Sequence, residues 1–337
     1  MPAIKQKTGS PFFSYSFLSF LFYKSYLNNL YKLIFPPLNM EKINLTFLGT
    51  GDSIPTKKRS HTAIFLTYKN ENILIDCGEG TQRQFKIAKT SPSKISKIFI
   101  THLHGDHVLG LPGLLQTLHM NNYTKTLEIY GPKGTKTFVS KLKDIFQLKI
   151  NLKVHEISSG IAYETKDLEI SAAQMNHGTP ALAYAFKVKD KLRLDKAKLK
   201  TLGLPHSPLL KKLQAGKSIK FKGKTIKPSQ VAKGQLGQRV VFILDTATNP
   251  NAIKISKSAD LLVCESTFAN AEKEKASRNK HLTAEQAATI AKKAKVKALV
   301  LTHISQRYDS NPEKILNEAK KVFKNTSIVK DFDKLTI

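Results

Sequence analysis

Four side chains of the kinds that bind metal ions lie within six residues of one another, in Thr101-His-Leu-His-Gly-Asp-His107. They are His102, His104, Asp106 and His107. Packing imidazoles and a carboxylate together removes them from water, and a bound cation readily offsets that cost. Imidazole and carboxylate ligands without thiolate are typical of Zn²⁺ in a site with open positions. Because Asp106 and His107 turn away from the alternating His102 and His104, the segment is compatible with two ions.

Four ligands cannot complete two metal shells, so further ligands are expected downstream. His177, Asp245 and His303 each follow an apolar run that has the character of a buried strand. Functional residues of layered α/β folds gather at the carboxyl ends of strands. Together with the first cluster, the three positions therefore predict the rest of a metal centre.

The elements that must position these residues begin at Ile43, where β-branched runs start to alternate with turns and amphipathic helices. Strands are predicted at 43–48, 63–68, 73–75, 97–100, 127–130, 168–173, 182–188, 240–244, 261–263 and 298–301. Helices are predicted at 81–89, 110–119, 135–146, 284–295 and 312–323. The later strands are followed by helices or turns much as the early ones are, which suggests two related halves. Thr283 and Gln286 form a predicted capping box, so His281 stands just before a helix.

Charge is the outstanding feature of the composition. The 337 residues include 55 Lys+Arg and 25 Asp+Glu, a formal net charge of +30. Such an excess points to a polyanionic partner, nucleic acid first and an acidic membrane second, and charge alone does not separate them. The 41% hydrophobic content is that of an ordinary globular protein. No stretch reaches the roughly 18 apolar residues of a membrane span. Nucleic acid is therefore the expected partner, and no membrane partner is expected.

One segment concentrates the positive charge. Residues 187–227 contain 14 Lys+Arg and only two acids, Asp190 and Asp195. The apolar content is thin, mostly leucine, and is interrupted by prolines and glycines, which is typical of a protruding arm rather than a core element. A solvated charged face and a phosphate-binding arm both fit this pattern.

The chain divides into two predicted regions. Residues 1–39, which include the aromatic-rich segment 11–23, are interpreted as an extension outside the fold, with no small-residue cleavage site of a signal peptide after the apolar stretch. Residues 40–337 are predicted to form the functional domain, with the arm at about 187–233. Cys77 and Cys264 are too few for a disulfide framework, so a reducing, cytoplasmic location is expected.

The metal-ligand pattern resembles that of the metallo-β-lactamase superfamily, and flanking motifs narrow the resemblance to the ribonuclease Z family, endonucleases that trim the 3′ end of precursor tRNA. These motifs are Leu48-Gly-Thr-Gly51, Pro55-Thr-Lys-Lys-Arg59, Asp76-Cys-Gly-Glu-Gly-Thr-Gln82, Gly110-Leu-Pro-Gly-Leu-Leu115 and His303-Ile-Ser-Gln-Arg-Tyr308. The resemblance covers nearly all of the chain from Ile43 onward. It implies an α/β fold, the αββα sandwich of the superfamily, with a protruding basic arm that grips tRNA across a homodimer.

The resemblance also implies two Zn²⁺ ions per subunit. His102, His104 and His177 would hold one ion, and Asp106, His107 and His303 the other, with Asp245 bridging. Such a pair of ions clamps the attacking and leaving oxygens of an in-line displacement at phosphorus. Asp106 matches the family's proton acceptor.

A further pair of residues carries a hypothesis beyond the metal ligands. His281-Leu-Thr283 and Cys264-Glu-Ser-Thr267 match two family motifs. We expect Glu265 to orient and charge His281, which would then donate a proton to the leaving 3′ oxygen or stabilise its charge. The competing interpretation is a histidine that only precedes a helix.

Substrate contacts are expected from five basic side chains: Lys57, Arg59, Lys211, Lys212 and Arg307. Two of the motifs that carry them depart from the family pattern. Ser60 stands where the family's substrate loop has Asn, which leaves the cut position relative to an encoded CCA end open. The arm tip has His206, Ser207 and Pro208 in place of a Gly-Pro pair.

Three other functions were weighed against this one. A small-molecule hydrolase of the same superfamily, such as a thioester hydrolase or lactonase, would share the ligands but gives no reason for the basic arm. A β-CASP-type RNA nuclease needs a long extra domain, and the 58 residues from Asp245 to His303 leave no room for it. A noncatalytic RNA-binding module with a structural metal would normally have a closed, cysteine-rich site.

Overall fold

The amino-terminal half builds most of one seven-stranded sheet. The computed structural model describes residues 41–337. The first six strands are β1 (Asn44–Gly49), β2 (Ala63–Tyr68), β3 (Glu71–Ile75), β4 (Lys97–Phe99), β5 (Leu127–Gly131) and β6 (Leu152–Glu156). The helices between them are α1 (Thr81–Ile87), α2 (Gly105–Val108), α3 (Leu111–Met120) and α4 (Thr135–Ile145), with a 3₁₀ turn at Pro92–Lys94.

The carboxyl-terminal half builds a second seven-stranded sheet and returns one strand to the first. Its strands begin with β7 (Gly160–Glu164), β8 (Leu168–Met175) and β9 (Ala181–Val188). An inserted segment then contains β10 (Lys191–Leu194), α5 (Lys196–Thr201), α6 (Pro208–Gln214), β11 (Ile219–Phe221), β12 (Lys224–Ile226), α7 (Pro228–Val231) and β13 (Ala232–Gln235). The remaining elements are β14 (Arg239–Ile243), α8 (Pro250–Ser256), β15 (Leu261–Glu265), α9 (Lys273–Arg278), α10 (Ala284–Ala294), β16 (Ala298–Thr302), α11 (Glu313–Val322), β17 (Thr326–Ile328) and β18 (Lys334–Thr336).

The two sheets share one plan. In the first, β18, β1, β2 and β3 pair antiparallel, while β3 to β6 pair parallel. In the second, β7, β8, β9 and β14 pair antiparallel, while β14 to β17 pair parallel. Both sheets thus have the same order of antiparallel and parallel pairs, which agrees with the two related halves that the sequence suggests. The parallel strands of each sheet send their carboxyl ends to one edge, which is where the predicted ligands follow.

Side chains alternate between the two faces of each strand, so each sheet packs against the other sheet on one face and against helices on the other. In β2, Ile64 and Leu66 face Tyr184 and Phe242 of the second sheet, while Phe65 faces the helix residues Phe85 and Leu114 on the outside. Successive side chains of a strand point to opposite faces, so each sheet is buried on both sides. The outer face of the second sheet is covered by α8, α10 and α11. The fold is therefore the predicted αββα sandwich.

The basic arm has a small core of its own. Six side chains form a separate buried cluster: Leu199, Leu204, Leu213, Ile219, Ile226 and Val231. The β10–β13 pair closes its base. The scattered leucines that indicated a thin apolar content are thus gathered on the inside, and lysines such as Lys211 and Lys212 are exposed.

Every strand and helix predicted from the sequence is present, with ends that differ by no more than two residues. The elements that were missed are short or half-exposed, such as β6 and β7, whose side chains are mostly not buried. Among residues 41–337, none of the helices has the length and apolarity that crossing a membrane would require. The predicted extension, residues 1–39, lies outside the described residues.

Candidate metal centre

Three residues of the site leave their strands through a sharp backbone turn. Asp76 follows β3 with a φ of 55°, Asp245 lies just beyond β14 with a φ of 38°, and His303 follows β16 with a φ of 56°. Residues other than Gly rarely occupy this left-handed region, and those that do are concentrated at functional sites. The turns direct these side chains across the carboxyl edge of the strands, where the loops of both sheets meet.

The Asp245 carboxylate lies at the centre of the cluster, and its two oxygens face different imidazoles. Oδ2 lies 3.4 Å from His102 Nε2 and 3.8 Å from His177 Nε2. Oδ1 lies 3.4 Å from His107 Nε2 and 3.1 Å from His303 Nε2. This division of the two oxygens suits a carboxylate shared between two cations.

The other two predicted ligands complete one group each. His104 Nδ1 lies 3.1 Å from His177 Nε2. Asp106 Oδ2 lies 3.3 Å from Nε2 of both His107 and His303. Two sets of four residues result, with ligand atoms within 4.8 Å of one another: His102, His104, His177 and Asp245, and then Asp106, His107, Asp245 and His303. The structure brings together all seven side chains that the sequence predicted as ligands.

Hydrogen bonds to Nδ1 decide which nitrogen of two histidines is free. The Thr101 hydroxyl donates to Asp76 Oδ2 at 2.7 Å, so it accepts from His102 Nδ1 at 3.1 Å. The Thr267 hydroxyl donates to Glu265 Oε2 at 2.6 Å, so it accepts from His303 Nδ1 at 2.9 Å. Each neutral ring therefore carries its proton on Nδ1 and presents a lone pair at Nε2.

The same tautomer follows for two more rings. His177 Nδ1 lies 3.0 Å from the carbonyl oxygen of Lys280, which can only accept. His107 Nδ1 lies 2.6 Å from Asp76 Oδ2. With Nδ1–H donated in both cases, Nε2 of each ring is left to bind a cation. Second partners of this kind usually orient metal-ligating histidines.

Buried polar atoms at the centre have no hydrogen-bond partner among the described residues. They are His102 Nε2, His107 Nε2 and Asp245 Oδ1. Buried polar atoms are rarely left unpaired, because desolvation costs free energy that no contact returns. Burial, with some help from His107, lowers the pKa of His102 to about 4. A neutral imidazole beside unpaired carboxylate oxygen fits a divalent cation, so the donor set is that of a metal centre.

His281 and Glu265 lie against this centre. His281 Nδ1 lies 3.2 Å from both Glu265 oxygens and 4.0 Å from Asp245 Oδ2. Burial acts to lower the pKa of His281, but the Glu265 carboxylate raises it to about 9. Glu265 is fully buried, and it accepts from Thr246 N and Leu282 N at 2.6 Å and 3.1 Å. The carboxylate is thus held rigidly where it can orient the imidazole.

Several proteins that are similar to this chain over most of its length are named Ribonuclease Z. A protein named Ribonuclease Z from Methanosarcina acetivorans is 39% identical over 299 residues, which cover 88% of this chain and 98% of that protein. Another with this name, from Pyrococcus horikoshii, is 40% identical over 299 residues, covering 88% of this chain and 96% of that protein. The chain belongs to the ribonuclease Z family.

Two family models each match part of the chain, and a solved structure matches most of it. A model described as "Anti-Pycsar protein Apyc1" matches residues 43–196, and one described as "Beta-lactamase superfamily domain" matches residues 216–304. The crystal structure of human tRNase Z, short form, superposes with a TM-score of 0.63 at 26% identity, covering 87% of this chain and 98% of that chain. The metallo-β-lactamase fold of the ribonuclease Z family is therefore the fold of this chain.

The side chains predicted to contact substrate differ in exposure. Lys57, Lys211, Lys212 and Arg307 are exposed. Arg59 is only 4% exposed, and its guanidinium is directed at protein groups. A guanidinium bonded to protein groups in this way does not face a phosphate, so contact of Arg59 with substrate stays a prediction that its burial disfavours.

Several residues of the site had no role assigned from the sequence. The Asp76 carboxylate accepts hydrogen bonds from Thr101 N and from His107 Nδ1. The Thr267 hydroxyl is hydrogen-bonded to His303 Nδ1. Asp76 and Thr267 both lie in quoted family motifs, and Asp76 directly follows a strand, as Asp245 nearly does. The Lys280 carbonyl left no signal in the sequence, because a backbone oxygen is independent of residue type.

Proposed function

We propose that this chain is a zinc-dependent endoribonuclease that removes the 3′ trailer from precursor tRNA, leaving a tRNA 3′-hydroxyl and a 5′-phosphorylated trailer. The observation that carries the proposal is the Asp245 carboxylate, whose two oxygens face separate groups of imidazoles. Membership of the ribonuclease Z family and the exposed lysines of the arm support tRNA as the substrate.

The ligands are assigned as two sets that share one residue. His102, His104 and His177 would hold one Zn²⁺, while Asp106, His107 and His303 would hold the other, with Asp245 as the residue common to both sets. When bound, such a pair of ions makes water more acidic and stabilises negative charge that develops on a phosphodiester. The unpaired atoms His102 Nε2 and His107 Nε2 support this assignment.

Asp106 is assigned as the proton acceptor. Its Oδ2 is turned towards His107 and His303, each at 3.3 Å. The Asp106 side chain is 10% exposed. The other oxygen, Oδ1, is therefore the atom that would take the proton of an attacking water at the solvent side of the site.

His281 is assigned as the donor to the leaving 3′ oxygen. Glu265 binds its Nδ1, which leaves Nε2 as the atom that gives a proton or stabilises the developing charge. The 4.0 Å between His281 Nδ1 and Asp245 Oδ2 puts the imidazole beside the proposed bridging ligand. Glu265 acts through His281 and is a positioning residue.

The exposed basic residues are assigned to the RNA backbone. Lys211 and Lys212 lie in the last turn of α6 on the arm, and Arg307 follows the ligand His303 by four positions. Lys57 lies in the Pro55–Arg59 loop. Lysine and arginine side chains bind phosphates through charge, so this set supplies affinity rather than base readout.

Assembly as a homodimer and a cytoplasmic location complete the proposal. Large apolar side chains remain exposed on the first half, including Leu109 at 55%, Met120 at 75% and Ile145 at 69%. Exposed apolar side chains of this size are available for a subunit contact. Both cysteines are free and buried, as expected for a protein kept under reducing conditions. Light scattering of the purified chain would report its mass in solution.

A precursor tRNA with a short 3′ trailer tests the function. The purified chain should make one cut at the 3′ side of the tRNA body, and mapping should find a 3′-hydroxyl on the tRNA and a 5′-phosphate on the trailer. A chelator should abolish the cut, and added Zn²⁺ should restore it. A chain that leaves this RNA intact but opens lactones or thioesters would contradict the proposal.

A further inference from the structure

The loop containing Pro55, Lys57 and Arg59 is attached to the body of the protein through the side chain of Arg59. Arg59 Nη1 donates to Thr50 Oγ1 and to the carbonyl oxygen of Val329, both at 2.7 Å. Nε lies 3.5 Å from Asp309 Oδ1. The guanidinium thus points inward, while the neighbouring Lys57 is exposed.

Asp331 continues this attachment. Its carboxylate accepts from the Thr50 hydroxyl and from the backbone N–H of Ser60, both at 2.7 Å, and from Gln84 at 3.0 Å. The Thr50 hydroxyl therefore accepts from Arg59 and donates to Asp331 at the same time. We call Arg59, Thr50 and Asp331 the loop latch.

The loop latch is joined to the segment that follows the metal ligand His303. Ile304 N donates to the carbonyl oxygen of Thr50 at 3.0 Å, and Gly51 pairs with Ile304. Lys58 Nζ, inside the loop, donates to the carbonyl oxygen of Asp309 at 3.2 Å. The latch therefore fixes the position of the loop relative to the segment that follows His303.

We propose that Arg59 is a positioning residue, which sets where the loop presents Lys57 relative to the segment after His303 and makes no RNA contact of its own. Thr50 and Asp331 share this role, because the guanidinium acts through them. This inference rests on the proposed function only for the identity of the RNA. The attachment of the loop can be tested without any cleavage.

Thr50→Val is the decisive variant, because Thr50 is fully buried and its hydroxyl can affect RNA only through the latch. We expect amide hydrogen exchange of residues 53–60 to become about 5–100-fold faster, the change that loss of two net hydrogen bonds produces. KM for precursor tRNA should rise while kcat and metal content stay close to those of the unchanged protein. Arg59→Lys should give an effect of the same kind, because a single ammonium group cannot reproduce the forked donors that reach Thr50, Val329 and Asp309.

Two controls separate the latch from other causes. Lys57→Ala should raise KM without changing exchange in the loop. Thr289→Val removes a hydroxyl that bonds its own helix at Glu285 O, and it should change neither quantity. If Thr50→Val leaves loop exchange unchanged, or if only Arg59 variants weaken RNA binding, the proposal is overturned. A protein that cuts no tRNA would refute the proposed function, while the exchange measurement would still decide the latch.

Discussion

At the scale of single residues, the site depends on which atoms the protein itself leaves unpaired. Four histidines have Nδ1 occupied by Thr101, Asp76, Thr267 or the Lys280 carbonyl, so Nε2 is the free nitrogen in each. His281 is different, because it belongs to neither set of four residues around Asp245, and its Nδ1 faces the buried Glu265 carboxylate from outside those sets. The first arrangement suits ligation of a cation, and the second suits donation of a proton.

This difference predicts separate effects of substitution. His281→Ala should lower the single-turnover rate of precursor tRNA cleavage by about 10²–10⁴-fold, the usual contribution of a positioned acid. Zn²⁺ content should be unchanged, because His281 belongs to neither group around Asp245. An unchanged rate would remove His281 from the mechanism, and a loss of metal would make it a ligand instead.

At the scale of elements, a buried ionic network joins three strands of the first sheet to the second sheet. Lys97 on β4 lies 3.0 Å from Glu71 on β3 and 4.0 Å from Glu128 on β5. Tyr163 on β7 of the other sheet donates to Glu71 at 3.1 Å. The Lys97 ammonium also lies 4.2 Å from the Tyr163 ring centroid. One cation therefore compensates two carboxylates at this contact.

Lys97→Met should accordingly lower the free energy of unfolding by about 1–3 kcal/mol, because it removes the cation that lies 3.0 Å from the half-buried Glu71 carboxylate. Urea denaturation would measure the change. Lys94→Met, at an exposed position on the preceding turn, is the matched control and should have little effect. Equal stability of the Lys97 variant would show that packing of the methionine replaces the network.

At the scale of the whole molecule, charge is distributed unevenly and the arm carries much of it. If arm lysines bind phosphates, affinity for precursor tRNA should fall with salt by about 0.7–0.9 log units per decade for each contact. Replacing Lys211 and Lys212 with alanine should reduce that slope. Replacing Lys320 and Lys321, an exposed pair in the last turn of α11, provides a matched control. Equal slopes for both variants would exclude the pair on the arm from binding.

The layers and the ligand set could be predicted from the sequence, because both follow from local patterns. Alternating apolar runs mark the strands, and ligand-type residues after those runs mark the site. The inward direction of Arg59 could not be predicted, because it depends on Val329 and Asp331 from the far end of the chain. The Lys280 carbonyl was missed because its position depends on the fold alone.

Metal analysis of the purified chain tests the central claim most directly. The arrangement of the Asp245 oxygens predicts about two zinc equivalents per chain. Asp245→Ala should retain far less metal, because it removes the residue common to both sets. A chain purified without chelator that holds no metal after incubation with Zn²⁺, or that binds it equally well after Asp245→Ala, would contradict the account.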